Sequence, residues 1–181
     1  LERQFDKHVY SANLRDQVRL GSHSLTLGLN AEHQDNSISG WTFLVPAFKQ
    51  STAGAFIYDK FKLNERILLH AAARYDYGQI RTFKYTDWFL SQVSEGPPPV
   101  YEKAVRAGDI DRSFHSLVWS LGLNYNPEKF LLKANVGKSF RMPVAKELAA
   151  NGVNYHYFSY ERGAPSLSPE ESYQADLSLS W

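Results

Sequence analysis

Polarity in this chain alternates from one residue to the next, and the pattern returns again and again. Across residues 25–33, Leu25, Leu27, Leu29, Ala31 and His33 oppose Thr26, Gly28, Asn30 and Glu32. Across 69–77, Leu69, Ala71, Ala73, Tyr75 and Tyr77 oppose His70, Ala72, Arg74 and Asp76. Leu117, Trp119, Leu121, Leu123 and Tyr125 oppose Val118, Ser120, Gly122 and Asn124. Leu132, Ala134 and Val136 oppose Lys133, Asn135 and Gly137, and Tyr173, Ala175, Leu177, Leu179 and Trp181 oppose Gln174, Asp176, Ser178 and Ser180. A period of two places successive side chains on opposite faces of an extended strand, so each stretch predicts a strand with one apolar face. Weaker alternation over residues 8–20 and 51–61 adds two more strands, for seven in all. The only helical expectation is a short turn over residues 145–150.

The connections between these strands alternate in length. Short turns fall at residues 21–24, 63–66 and 126–129, and long connections at about 35–50, 81–112 and 142–172. Tight turns at one end and long loops at the other are the layout of a transmembrane barrel, whereas compact soluble domains rarely carry structureless loops beyond about 12–15 residues. No apolar run approaches the roughly 18–20 residues of a spanning helix, and mean hydropathy is −0.42. A barrel is compatible with both facts, because only every second residue meets lipid. The polar positions hold small neutral groups such as Thr26, Asn30, Ser116, Ser120 and Ser178, which suits a wet or plugged lumen. The apolar positions end in Tyr75, Tyr77, Tyr125 and Trp181, rings that favour a membrane interface. The expected fold is therefore all-β, an antiparallel up-and-down meander of about seven strands forming a segment of a transmembrane β-barrel. Residues 1–181 read as one piece of barrel wall. The runner-up architecture is a soluble β-sandwich.

Composition narrows the function. Net charge is +1, which implies no nucleic-acid partner, and cysteine is absent, which excludes disulfides and thiolate metal sites. The six histidines, His8, His23, His33, His70, His115 and His156, show no metal-ligand spacing, and no cofactor is expected. Structural hydrogen bonding is the expected role of His23, His33 and His70. Gly137-Lys138-Ser139 lacks the first glycine of a phosphate loop, and no nucleophile with a base in reach is visible, so the chain is not read as an enzyme. The long connections are rich in rings. Trp41, Phe43 and Phe48 lie in the first. Phe83, Tyr85, Trp88, Phe89 and Tyr101 accompany Arg81 and Arg106 in the second. Tyr155, His156, Tyr157, Phe158, Tyr160 and Arg162 lie in the third. Aromatic clusters with arginine grip ligands or partners, or bury one another. The ligand-binding candidates are Trp41, Phe43, Tyr85, Trp88, Tyr155, His156, Tyr157, Tyr160 and Arg162.

The third connection carries a specific signature. Lys138-Ser139-Phe140-Arg141-Met142-Pro143-Val144-Ala145-Lys146-Glu147-Leu148 resembles the Phe-Arg-x-Pro…Glu-Leu motif of TonB-dependent receptors. Gly163-Ala164-Pro165-Ser166-Leu167-Ser168-Pro169-Glu170 is similar to the Gly-x-Pro-x-Leu-x-Pro-Glu run of that family, and residues 172–181 resemble the strand that follows it. Ala73-Arg74-Tyr75-Asp76 resembles an earlier strand. Met142 replaces the usual small residue before the proline. The matched motif residues are Phe140, Arg141, Pro143, Glu147, Leu148, Gly163, Pro165, Pro169 and Glu170. Glu170 and Glu171 are expected to accept hydrogen bonds from Arg141 or Arg162 and pin the loop near the rim.

The resemblance implies a plugged barrel of 22 strands. It implies the outer membrane of a Gram-negative bacterium and energy-coupled uptake of a scarce nutrient such as an iron–siderophore complex. The implied partners are the nutrient, outer-membrane lipid, and the TonB complex acting through a plug domain that this sequence lacks. A passive porin-like channel would have no such motifs. Beginning at Leu1 and ending at Trp181 within strand-like sequence, the chain reads as a fragment, about a third of the wall. Its open edges and apolar face predict self-association in isolation.

Overall fold

The computed structural model describes residues 3–40, 44–94, 96–154 and 156–181, without the side chain of Arg3. The main sheet is built from β1 (Arg3–Leu20), β2 (His23–Gly40), β3 (Phe48–Lys62), β4 (Ile67–Thr82), β7 (Ile110–Tyr125), β8 (Leu131–Arg141) and β11 (Glu170–Ser180). These seven strands lie in that order, and every neighbouring pair is antiparallel. The up-and-down meander is thus the one expected from the sequence.

The short turns set this register. Gly21, at φ +59°, begins the two-residue connection between Leu20 and His23. A positive φ there costs glycine nothing. Asn64 closes the next turn by accepting the amides of Arg66 and Ile67 at 2.8 and 2.9 Å. Adjacent turns are tied together: the Asn126 amide donates to the Arg66 carbonyl at 2.8 Å, and Arg66 pairs with Glu128 at 3.1 Å.

Cross-strand partners share a face, so the register fixes both surfaces of the sheet. One row reads Leu14, Leu29, Ala55, Tyr75, Leu117, and a lower one reads Val18, Leu25, Asp59, Ala71, Leu121, Val136, Ala175. Leu27, Leu29, Ala71, Tyr75, Leu121, Leu123, Ala134, Leu177 and Leu179 therefore lie on one apolar face, and much of it is uncovered: Leu121 is 53% exposed and Leu177 76%. A tilted strand needs roughly 9–11 residues to cross a bilayer's hydrocarbon; the apolar stretch from Ile67 to Tyr77 on β4 has that length. Toward the long-connection end the same face turns polar. The row His8, Asp35, Lys49, Arg81, Asp111 runs across five strands, with Lys49–Asp35 at 2.8 Å and Arg81–Asp111 at 2.5 Å.

Two long connections contain more structure than loops. The second holds a ribbon of β5 (Tyr85–Gln92) and β6 (Tyr101–Ala107). The third holds α1 (Ala145–Ala149) and a ribbon of β9 (Asn151–Asn154) and β10 (Ser159–Arg162). The count of seven strands thus holds for the main sheet and misses these four. Their pairs are local and lack regular alternation, and β5 pairs with β6 through two register shifts. β2 and β3 also extend further into the first connection than residues 35–50 allowed. His23, placed in a turn by sequence, is the first residue of β2.

The buried core sits on the polar face at the long-connection end. Ile80 and Phe114 pack there with Ala145, Leu148 and Ala149 of α1, flanked by Val45, Phe48, Ile110 and Met142. The third connection therefore folds back across the sheet.

Candidate functional site

The site is the assembly of outer connections, and the third one is built around Arg141. At the end of β8 its guanidinium donates to both carboxylate oxygens of Glu147, at 2.8 and 3.0 Å, and to Glu170 at 3.0 and 3.1 Å. Planar donors matched to carboxylates give geometric specificity as well as attraction. Glu147 also accepts the Val144 amide at 3.0 Å, which serves the helix start, where the Val144 backbone is extended. Arg141 and that amide together hold the Glu147 carboxyl below its ordinary range. Glu170 meets Arg141 as expected. Glu171 does not: it faces the other surface of the sheet and pairs with Lys138 at 2.6 Å. Alternation along β11 puts neighbouring glutamates on opposite faces, so one arginine cannot reach both. Arg162 takes no part in this clamp; it lies in β10 opposite Asn151.

Other motif residues have clear packing roles. Leu148 is fully buried. The Gly163 amide donates to Ala150 at 2.6 Å, and a Cβ on Gly163 would meet the backbone of Leu148, Ala149 and Ala150 at 2.7–2.8 Å, so only glycine fits. Arg112 donates to the carbonyls of Pro165 and Leu167, holding the return path that leads through Pro169. Phe140 lies one position before Arg141, on the face opposite to it. Met142, unusual for the motif, drops its thioether onto Gly78, where a side chain would collide with it. Met142 and Gly78 fit each other, and that pairing was invisible at a separation of 64 positions.

The two ribbons meet at a buried ion pair. Asp87 of β5 is 3% exposed and accepts from Arg106 of β6 at 2.6 Å. Tyr85 lies beside Asp87, and burial first, then the Asp87 charge, pushes its phenol up. Tyr160 of β10 contacts Arg106 from the other ribbon and donates to the Asn151 side chain at 2.5 Å. On the same ribbon, Glu161 takes Lys146 at 2.7 Å and Asn154 at 2.6 Å; Lys146 and Asn154 hold its carboxyl low.

Of the ligand-binding candidates, the structure therefore brings Tyr85 and Tyr160 to one ion pair. Trp88 stands edge-on to Phe89 at 5.9 Å, half exposed. His156, Tyr157 and Phe158 form the tip of the β9–β10 ribbon, where Tyr157 is 79% exposed and Phe158 adopts φ +49°. Trp41, Phe43 and Tyr155 lie outside the described residues. Asp87 was missed by sequence reading; an acid amid four rings (Tyr85, Trp88, Phe89 and, across the ribbon, Tyr101) was the available signal.

Three of the six histidines have side-chain hydrogen-bond partners. His23 bonds Asp59 at 2.6 Å, His33 bonds Ser51 at 2.8 Å, and His70 sits between Tyr58 at 2.9 Å and Asn124 at 3.0 Å. Among the described residues no cluster suited to a metal ion occurs.

Residues 3–181 match the family described as TonB dependent receptor-like, beta-barrel. The chain belongs to this family. Members are receptors of the bacterial outer membrane, so the sheet is a segment of receptor barrel. A comparison with curated proteins finds no match. Among solved structures, this receptor segment is similar to a double mutant of the Serratia marcescens hemophore receptor HasR, in complex with its hemophore HasA and heme. The identity is 20% and the TM-score 0.70, over 98% of this chain and 30% of that one. It is similar to the copper transporter OprC at 17% identity and TM-score 0.75, over 98% and 28% of the two chains. It is also similar to the ferric-catecholate import receptor Fiu of E. coli K12, at 14% identity and TM-score 0.64, over 99% and 29%. At these identities the likeness shows the fold, and the segment spans less than a third of each neighbour.

Proposed function

We propose that this segment forms wall and outer loops of a receptor that takes up a scarce nutrient across the outer membrane, energised through the TonB complex. The apolar face meets lipid and the polar face lines the barrel. The observation that carries the reading is the seven-strand sheet with one largely apolar face, in a chain whose whole described length matches a receptor barrel family. The rings of the outer ribbons, Trp88, Tyr157 and Tyr160, with His156 and Arg162 beside them, contact the arriving nutrient, and Trp41, Phe43 and Tyr155 belong to the same set. An iron–siderophore complex is the proposed cargo; the similar structures include a ferric-catecholate import receptor, a hemophore receptor in complex with its hemophore and heme, and a copper transporter.

Deleting the complete receptor gene and measuring uptake of ferric siderophore, heme and copper tests this. Loss of iron–siderophore uptake is the expected result. Loss of copper or heme uptake alone would reassign the cargo, and no loss of any would defeat the proposal. In the complete receptor, Tyr157→Ala is expected to weaken nutrient binding about tenfold, the equivalent of roughly 1.4 kcal/mol.

A further inference from the structure

We infer that the apolar face carries a binding site for one phospholipid with an ammonium headgroup, in the leaflet on the short-turn side. A few polar residues interrupt that face, and two of them are built as a pair. His23 begins β2, and Asp59 lies three residues before the end of β3, so both stand near the level of the short turns. Asp59 sits in the row between Leu25 and Ala71, on the face that meets lipid. His23 Nδ1 bonds Asp59 Oδ2 at 2.6 Å, and the imidazole stacks on Phe61 with ring centroids 4.4 Å apart. The other Asp59 oxygen has no hydrogen-bond partner among the described residues. A carboxylate facing hydrocarbon is costly until a positive group meets it, and an ionisable side chain in such a place marks a site.

The pair lines one end of a groove of about 530 Å³ on the same face. Ordinary ligand sites have roughly 300–1,000 Å³. Ala71 and Ala134 leave room there between Phe61, Leu69, Leu121 and Val136. From β2 to β8 the groove crosses four strand spacings, about 19 Å. Strands tilted by about 35–45° make it climb about 12 Å, and one leaflet offers about 15 Å of hydrocarbon. The turns set its direction: His23 is the first residue of β2, whereas Val136 comes five residues after the start of β8. The charged end therefore lies at headgroup level and the apolar end inside the hydrocarbon. A phospholipid has that shape and that polarity. The Asp59 carboxylate takes the ammonium group, protonated His23 offers Nε2–H to the phosphate, and one acyl chain fills the groove. A headgroup without the ammonium would bring a phosphate to Asp59 with no positive group of its own to offset the repulsion.

The inference rests on the proposed wall reading, and the test separates the two. The complete receptor in mild detergent is offered equal amounts of phosphatidylethanolamine and phosphatidylglycerol, and retained lipid is counted by native mass spectrometry. One phosphatidylethanolamine should be held, severalfold in preference to phosphatidylglycerol. Asp59→Asn should lower that retention severalfold. Asp16→Asn, at a carboxylate that shares the apolar face with Leu27 but lies outside the groove, should leave it unchanged. Ala134→Trp should fill the groove and abolish retention with the His23–Asp59 pair still in place. Should Asp59→Asn fail to fold, the preference of the unaltered receptor and the Ala134→Trp result decide. Equal retention of the two lipids, retention untouched by Asp59→Asn or Ala134→Trp, an equal loss in Asp16→Asn, or a second receptor copy seated there in place of lipid would each overturn the inference. The wall reading would stand through all of these outcomes; it fails only if the apolar face does not meet lipid at all, which spin labels on that face report separately.

Discussion

Side-chain fit at single positions governs how the outer assembly is held. Gly78 and Met142 occupy one space, so Gly78→Leu must expel the thioether and lift the third connection off the sheet. Overpacking of this kind costs about 1–3 kcal/mol; the unfolding midpoint of the complete receptor should fall accordingly, and Met142→Ala should recover most of the loss. An unchanged midpoint in Gly78→Leu would mean the two residues are not in contact. Asp87→Asn leaves the Arg106 guanidinium without its buried countercharge, an effect of about 1–3 kcal/mol. The β5–β6 ribbon should then exchange its amide hydrogens faster while the main sheet does not. Acid acts on the third connection in a defined direction. The Glu147 and Glu161 carboxyls are held below their ordinary value of 4.5. Their stabilisation is therefore complete above that value and lost as pH falls through the lower folded value. Amide protection across residues 142–169, taken relative to the intrinsic exchange rate at each pH, should fall below about pH 4 and stay flat from pH 6 to 8. A loss of that protection between pH 6 and 8 instead would assign the brace to other groups.

Elements differ in how plainly the sequence announces them. Strand β7 alternates Leu117, Trp119, Leu121, Leu123 and Tyr125 against Val118, Ser120, Gly122 and Asn124, because one face is apolar from Leu117 onward and the period of two is unavoidable there. The same holds for β2, β4 and β11, and short turns with Gly21 and Asn64 fix how they pair. Motif residues made part of the third connection legible too: Glu170 was expected to bond Arg141 or Arg162, and Arg141 holds it. Nothing comparable marks the two ribbons. Asp87 and Arg106 are 19 positions apart in a stretch without periodicity, and Tyr160 reaches Arg106 only through tertiary packing. The Glu171–Lys138 pair was misassigned because composition shows that glutamates and arginines are available but not which face each occupies. Arg141→Ala removes the clamp on both Glu147 and Glu170 while leaving Leu148 and the core cluster in place. Faster exchange confined to residues 142–169 is the expected outcome; global unfolding of the sheet would show that the clamp supports the wall rather than the loop.

The whole molecule is a sheet with two solvents. Its apolar face carries Leu14, Leu29, Leu117, Leu121 and Leu177 in the open, a patch far larger than soluble monomers leave exposed, and its polar face is hydrogen-bonded within itself and covered at one end by α1. A charge placed on the apolar face near mid-membrane costs about 2–4 kcal/mol, so Leu121→Arg should cut the yield of heat-resistant folded receptor, whereas Ser120→Arg on the facing surface should not. The most direct measurement follows from the same alternation. Single cysteines are placed in turn from position 117 to 124 of the complete receptor in a bilayer, and each is spin-labelled. Labels at 117, 119, 121 and 123 should collide with oxygen dissolved in the lipid and be shielded from an aqueous nickel chelate, and labels at 118, 120, 122 and 124 should not show that lipid signature. Equal lipid contact at odd and even positions, or aqueous exposure of the odd ones, would contradict the account of this chain as receptor wall.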